Sequence, residues 1–258
     1  MCFGCNTPEP APRTISEVIP KSALTIEKGS VVFRGKPLGK LGSDKRIKLP
    51  NQLLKETGTV VILADGRYFV IGGTKPREND VPEEISKTYI LDGQKLIAGP
   101  DMSVARRDLQ VLKLRDGRLL LAGGITNSDK LQYTPVIEFF DPKSMRISPG
   151  GRLIRPRVAA AVLQLSDGRI IFAGGQLDSS HHSVETASIE LYDPKTRQSK
   201  EIGDLVRPSQ GGELFEASPD KLVIVGGLNS LSEADSDNLP PELISLPTIS
   251  DTSTGSKP

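Results

Sequence analysis

Along this chain, short apolar runs alternate with polar turns, and the alternation returns at a fixed distance. "TVVIL" (Thr59–Leu63) leads through Asp-Gly-Arg into "YFVIGG" (Tyr68–Gly73), and the pattern recurs as "LLLAGG" (Leu119–Gly124), "IIFAGG" (Ile170–Gly175) and "LVIVGG" (Leu222–Gly227). Runs of about five to seven residues, rich in β-branched and aromatic side chains, have the length of strands rather than of buried helices. An Asp-Gly turn between two such runs predicts a hairpin. It stands at Asp65–Arg67, Asp116–Arg118 and Asp167–Arg169, with Pro219–Lys221 in the fourth copy. Third runs follow at Thr88–Gly93, Val136–Pro142 ("VIEFFDP") and Ser188–Pro194 ("SIELYDP"), and weaker fourth ones at Lys95–Ala98 and Gln198–Ile202. "PELISLP" (Pro241–Pro247) fits a third strand for the last copy.

The first glycines of the pairs fall at 72, 123, 174 and 226, giving spacings of 51, 51 and 52. The register extends to the flanks: Leu153–Arg169 aligns without a gap on Leu205–Lys221. A period near 50 residues marks a propeller or array, and four antiparallel strands per unit make one propeller blade. Glycine after a strand also opens phosphate-binding loops. Neither the dinucleotide fingerprint nor the P-loop pattern follows any of the four strands, however. The pairs are therefore expected to serve backbone geometry, through a positive φ or a close approach.

The Asp-Gly-Arg turn, the strand ending in Gly-Gly, the "ELYDPKT" segment (Glu190–Thr196) and the Pro-Arg before the next unit resemble the kelch repeat in the form common in bacterial proteins. The resemblance covers about Lys45 to Asn229 and implies an all-β, kelch-type β-propeller with about four blade equivalents, akin to the central domain of galactose oxidase. It departs from the family in having no Trp; Ile147 and Ser199 lie near the family's usual Trp position. Propellers carry roughly four to eight blades, so the chain reads either as a closed small propeller or as an incomplete part of a larger one. "SVVFRG" (Ser30–Gly35) and "DKRIKLP" (Asp44–Pro50) are candidates to complete the fourth unit as a clasp. If they do not pair with it, open edges invite self-association. The expected organisation is a flexible segment at 1–20, the propeller at 21–247 and a disordered tail at 248–258.

With 258 residues, one sizeable domain can bury a core, and a formal charge of +1 offers no reason to expect nucleic acid or a charged membrane surface as partner. No run approaches the roughly 18 apolar residues of a membrane span. Both cysteines, Cys2 and Cys5, precede the repeats. Gly4-Cys5 before a polar, Pro-rich stretch resembles the end of a bacterial lipoprotein signal, with Cys5 as the lipid-bearing residue, although the apolar region that should precede it is missing. That likeness points to the cell envelope or exterior; the other readings are an inert terminus and a Cys-x-x-Cys metal or redox site, for which no second ligand pair accompanies it.

Repeat register places Lys55, Arg106 and Arg157 in equivalent slots before each first strand, with Arg207 near the fourth, where Ser209 aligns. Two readings stand. The cations could gather at a channel mouth and hold a carboxylate or other anion, or each could pair with a neighbouring acid as part of the repeat. The loops after the glycine pairs differ from one another, as a binding rim should, and contain Asn127, Asp178, His181 and His182. The adjacent histidines, the only two in the chain, fall short of a metal-ligand set. A galactose-oxidase-like copper site needs separated histidines and a cysteine within the propeller, which this chain lacks. Sialic-acid mutarotases share the fold, yet no motif carries their residues over. The expected function is a non-catalytic binding or scaffold module without cofactor, presenting its loops and a basic channel mouth to a protein or carbohydrate. The alternatives are a carbohydrate-active isomerase or lyase and an inactive fragment of a larger propeller.

Overall fold

The computed structural model describes residues 15–18, 24–27, 30–33, 36–40, 57–75, 82–93, 95–127, 130, 132–179, 182–229 and 240–247, and every regular element among them is a strand. The first region contributes β1 (Ile15–Val18), β2 (Leu24–Glu27), β3 (Ser30–Phe33) and β4 (Lys36–Lys40). The first repeat holds β5 (Thr57–Ile62), β6 (Tyr68–Lys75), β7 (Glu83–Glu84), β8 (Thr88–Asp92) and β9 (Lys95–Ala98). The second holds β10 (Gln110–Lys113), β11 (Leu119–Ala122), β12 (Ile125–Asn127), β13 (Gln132–Tyr133), β14 (Val136–Asp141) and β15 (Arg146–Arg152). The third holds β16 (Ala161–Gln164), β17 (Ile170–Ala173), β18 (Gln176–Ser179), β19 (His182–Glu185), β20 (Ser188–Asp193) and β21 (Gln198–Asp204). The fourth holds β22 (Glu213–Ser218), β23 (Lys221–Val225) and β24 (Glu242–Ser245).

Each repeat forms its own antiparallel sheet, in the orders β5-β6-β8-β9, β10-β11-β14-β15, β16-β17-β20-β21 and β22-β23-β24. The expected third strand at Pro241–Pro247 is present as β24, which pairs with β23 through Ile224↔Glu242 and Leu222↔Ile244. The strand that completes the fourth sheet is not the one expected. β1 pairs with β24, Ile15 opposite Ser245 and Val18 opposite Glu242. Residues 15–18 therefore belong to a sheet rather than to a flexible leader. Ser30–Phe33 instead joins a separate three-stranded sheet, β2-β3-β4. The other proposed clasp strand, Asp44–Pro50, lies outside the described residues, as do Cys2, Cys5 and the tail 248–258.

The apolar runs are continuous rather than alternating because each central strand is covered on both faces. Leu119 and Leu121 join Phe69, Ile71, Ile90 and Phe140 in the core between the first and second sheets. Leu120 and Ala122, pointing the other way, join Phe139, Ile170, Phe172 and Tyr192 between the second and third. Ile171 and Ala173 likewise meet Leu222, Ile224 and Ile244 toward the fourth. Period-2 side-chain alternation thus sends one strand into two cores. The fourth strands β15 and β21 are mostly exposed, consistent with their polar sequences. Aromatic rings bridge the first and second sheets: Phe69 and Phe140 stack at 3.9 Å. Tyr192 donates its buried hydroxyl to the Gly150 carbonyl, and burial pushes its pKa up to about 12.

Candidate functional site

The segment leading into each first strand runs back across the glycine pair of the preceding sheet. The carbonyls of Arg106, Arg157 and Ser209 accept from the N–H groups of Gly73 (2.9 Å), Gly124 (3.4 Å) and Gly175 (2.7 Å). This approach explains the glycines. Gly123 sits at φ +65°, and a Cβ there would collide with the Arg157 carbonyl. The backbone role expected for the pairs is the role they have.

The arginine side chains turn in the opposite sense, into their own sheets. Arg106 donates through Nη1 to the carbonyls of Gly123 (2.9 Å) and Val136 (2.7 Å) and through Nη2 to Glu138 (2.6 Å). Arg157 repeats the arrangement on Gly174 (2.9 Å), Ser188 (3.1 Å) and Glu190 (3.2 Å). Each glutamate also accepts a main-chain N–H from the same leading segment, Ser103 to Glu138 (2.8 Å) and Ile154 to Glu190 (2.6 Å). One arginine therefore ties a sheet to its predecessor through its carbonyl and grips its own sheet through its guanidinium. Burial pulls both guanidinium pKa values down from their ordinary value, opposed by the carboxylates. Arginine remains a cation under such conditions.

This geometry corrects the expectation of a basic channel mouth at these two positions. Arg106 and Arg157 have 0% of their surface exposed and are engaged by internal acceptors. Desolvating a guanidinium is tolerated only where carboxylate and carbonyls replace water, and that requirement seals the side chain inside. Arg207 is exposed and occupies the slot of Arg155, whose guanidinium reaches Glu201 at 3.3 Å. Lys55 lies outside the described residues.

In the fourth sheet Ser209 takes the arginine slot, while the acid remains. Glu242 is buried and accepts from Val206 N (2.9 Å), as its counterparts do, and it also meets the main chain of Arg207. Burial pushes its carboxyl pKa up. The role of these glutamates was overlooked in the sequence, although a lone acid inside an apolar third strand at positions 138, 190 and 242 was a legible signal.

The segments that follow the glycine pairs build hairpins. β12 pairs with β13, β18 with β19, and β7 with the end of β6. They lie side by side, β7 against β12 and β13 against β18. Isolated bridges tie them to the leading segments at Arg107↔Ile125, Val158↔Gln176 and Gln210↔Leu228. Ile125, Tyr133 and Val158 form a small core beneath. Asn127 ends β12, and its side chain accepts from Lys130 N at 3.1 Å, closing the hairpin loop. Asp178 and His182 occupy paired strands, opposite Ser183 and Ser179 respectively. His181 lies outside the described residues. Among the described residues no group of three His, Cys, Asp or Glu could hold a metal ion. On the opposite face, the Asp of each Asp-Gly-Arg turn binds its own Arg, as in Asp116–Arg118 at 2.7 Å.

No family profile and no curated protein matches the chain. Among solved structures 221 chains match, so the fold is widely shared and does not by itself select a function. One of them, the structure of YjhT, superposes with a TM-score of 0.52 at 14% identity, over 84% of this chain and 73% of that one. At this identity the likeness is one of fold: an all-β architecture compatible with a kelch-like β-propeller.

Proposed function

We propose that this chain is a non-catalytic interaction module on a kelch-type propeller, presenting its row of hairpins to a protein or carbohydrate partner. In this reading the larger sheets are blades. Their first strands touch in succession, β10 with β16 and β16 with β22, and β22 meets β4 of the N-terminal sheet. β1 ties the start of the chain to the last repeat. The observation that carries the reading is a division of labour. The charged residues that recur with the repeat are mainly occupied by internal partners, through Arg106–Glu138, Arg157–Glu190 and the Asp-Gly-Arg turns. The segments that differ between repeats form adjoining surface hairpins, flanked by the exposed apolar side chains of Val184 (45%) and Leu228 (46%). A regular frame carrying unlike loops suits recognition. Tethering through Cys5 would place this surface at the cell envelope.

The test compares the full chain with a Val184→Asp/Leu228→Asp variant on glycan and peptide arrays. In parallel, sialic and uronic acids are followed by NMR for anomer exchange or elimination. Both positions are exposed, so the variant should keep its melting temperature. Binding that it loses by tenfold or more supports the module; equal binding by both proteins, or turnover of a sugar, argues against it.

A further inference from the structure

A buried carboxylate is stable as an anion only where cations or N–H groups replace its water. Glu138, Glu190 and Glu242 hold the same register position on β14, β20 and β24, opposite Leu121, Phe172 and Ile224. All three are at most 4% exposed, and all three accept a main-chain N–H from the leading segment. Two of them also hold a guanidinium. For the third, the arginine slot holds Ser209, whose backbone follows the arginine path, since its carbonyl still receives Gly175 N at 2.7 Å. Arg207, the cation whose field reaches Glu242, is exposed and makes no ion pair with it among the described residues.

We propose that the fourth sheet contains a receptor site for a guanidinium group from another molecule, the side chain of an arginine on a partner protein, seated on Glu242 where Ser209 takes the place of the internal arginine. The two complete copies define the occupant. In each, one η nitrogen is shared by two carbonyls and the other meets the carboxylate. A planar fork satisfies that set, and a compact ammonium does not. The equivalent carbonyls here belong to Gly226 and Pro240 by repeat register.

Access distinguishes this copy from the others. Gly123, Gly124, Gly174 and Gly175 are buried, whereas Gly226 and Gly227 are half-buried, beside the exposed Leu228. The N–H bonds from Gly123 to Val136 and from Gly174 to Ser188, which close the complete copies, have no counterpart between Gly226 and Pro240 among the described residues. The site goes beyond the hairpin reading and stands whichever ligand the hairpins take, because it rests on Glu242, Ser209 and the main chain at Gly226 and Pro240 rather than on the hairpin strands.

The experiment is thermal unfolding of the full chain with millimolar N-propylguanidinium chloride, against propylammonium chloride and NaCl at equal ionic strength. Near tenfold excess over its dissociation constant, propylguanidinium should raise the midpoint by roughly 3–5 °C, with no such rise in the controls. Glu242→Gln should abolish the rise. Ser209→Arg should raise the midpoint without ligand and no longer respond to propylguanidinium. An unresponsive wild-type chain overturns the proposal, and so does an equal response in Glu242→Gln. Should Ser209→Arg fail to fold, the pairing of wild type and Glu242→Gln still decides. A Val184→Asp variant, changed only in the third repeat's hairpin, should respond as wild type does, which separates failure of this site from failure of the hairpin surface.

Discussion

The third and fourth sheets share one design as far as their backbones and cores reach. In both, a glycine pair ends the second strand and an acid stands in the third, facing a main-chain N–H of the leading segment. At the buried ion pair they part, where Arg157 is replaced by Ser209. The path of the chain survives the exchange, because the carbonyl that meets the preceding glycine belongs to the main chain and not to the side chain. The arginine is thus not what directs the backbone. It neutralises an acid that the repeat buries in any case; at Glu242, where Ser209 takes the arginine slot, burial raises the carboxyl pKa.

The sharpest way to break this comparison is Arg157→Ala. It strands Glu190 inside the protein and should cost about 3–5 kcal/mol in urea unfolding of the full chain, whereas Ser209→Ala should cost about 1 kcal/mol or less. Equal losses would mean that the pair contributes nothing that Ser209 lacks. Next come two glycines with similar backbone angles and different surroundings. Gly123 (φ +65°) faces the Arg157 carbonyl, while Gly117 (φ +90°) has open space where a Cβ would be. Gly123→Ala should cost about 3 kcal/mol and Gly117→Ala about 1 kcal/mol, by the same denaturation measurement.

The pH dependence separates the two acids as well. Glu242 has a folded pKa raised above its ordinary 4.5. The folded state therefore binds this proton more tightly than the unfolded state does. The resulting stability is fully present below that ordinary value and is lost as pH rises through the raised one. Glu242→Gln should remove this part of the slope and be neutral or stabilising at pH 7. Glu190→Gln, which deprives a buried guanidinium of its anion, should destabilise at the same pH; melting temperatures between pH 4 and 8 distinguish them. The smallest effect belongs to the opposite face. Asp116 is held below its ordinary pKa by Arg118, but the pair is half exposed and screened. Asp116→Asn should cost about 0.5 kcal/mol or less, and less still in high salt.

Local chemistry made much of the frame legible. Asp-Gly turns, β-branched runs and paired glycines are short-range signals, and β6, β11, β17 and β23 fall where those signals put them. The acids Glu138, Glu190 and Glu242 were legible too, through their shared register, but their meaning depended on what faces them. Alternation along a strand says which residues share a face, and here both faces are buried. The pattern therefore carried no mark to distinguish an arginine at an open mouth from one sealed between sheets.

By itself, then, the sequence determined an all-β chain of repeated hairpin units and the backbone purpose of its glycines, because turn geometry and side-chain period act within a few residues. Only the tertiary structure decided that Arg106 and Arg157 are internal, that Glu242 meets no guanidinium among the described residues, and that Ile15–Val18 rather than Ser30–Phe33 completes the fourth sheet. Those outcomes depend on contacts between segments far apart in the chain. Such contacts are selected by the desolvation and packing of the whole assembly of sheets, which no local window of residues contains.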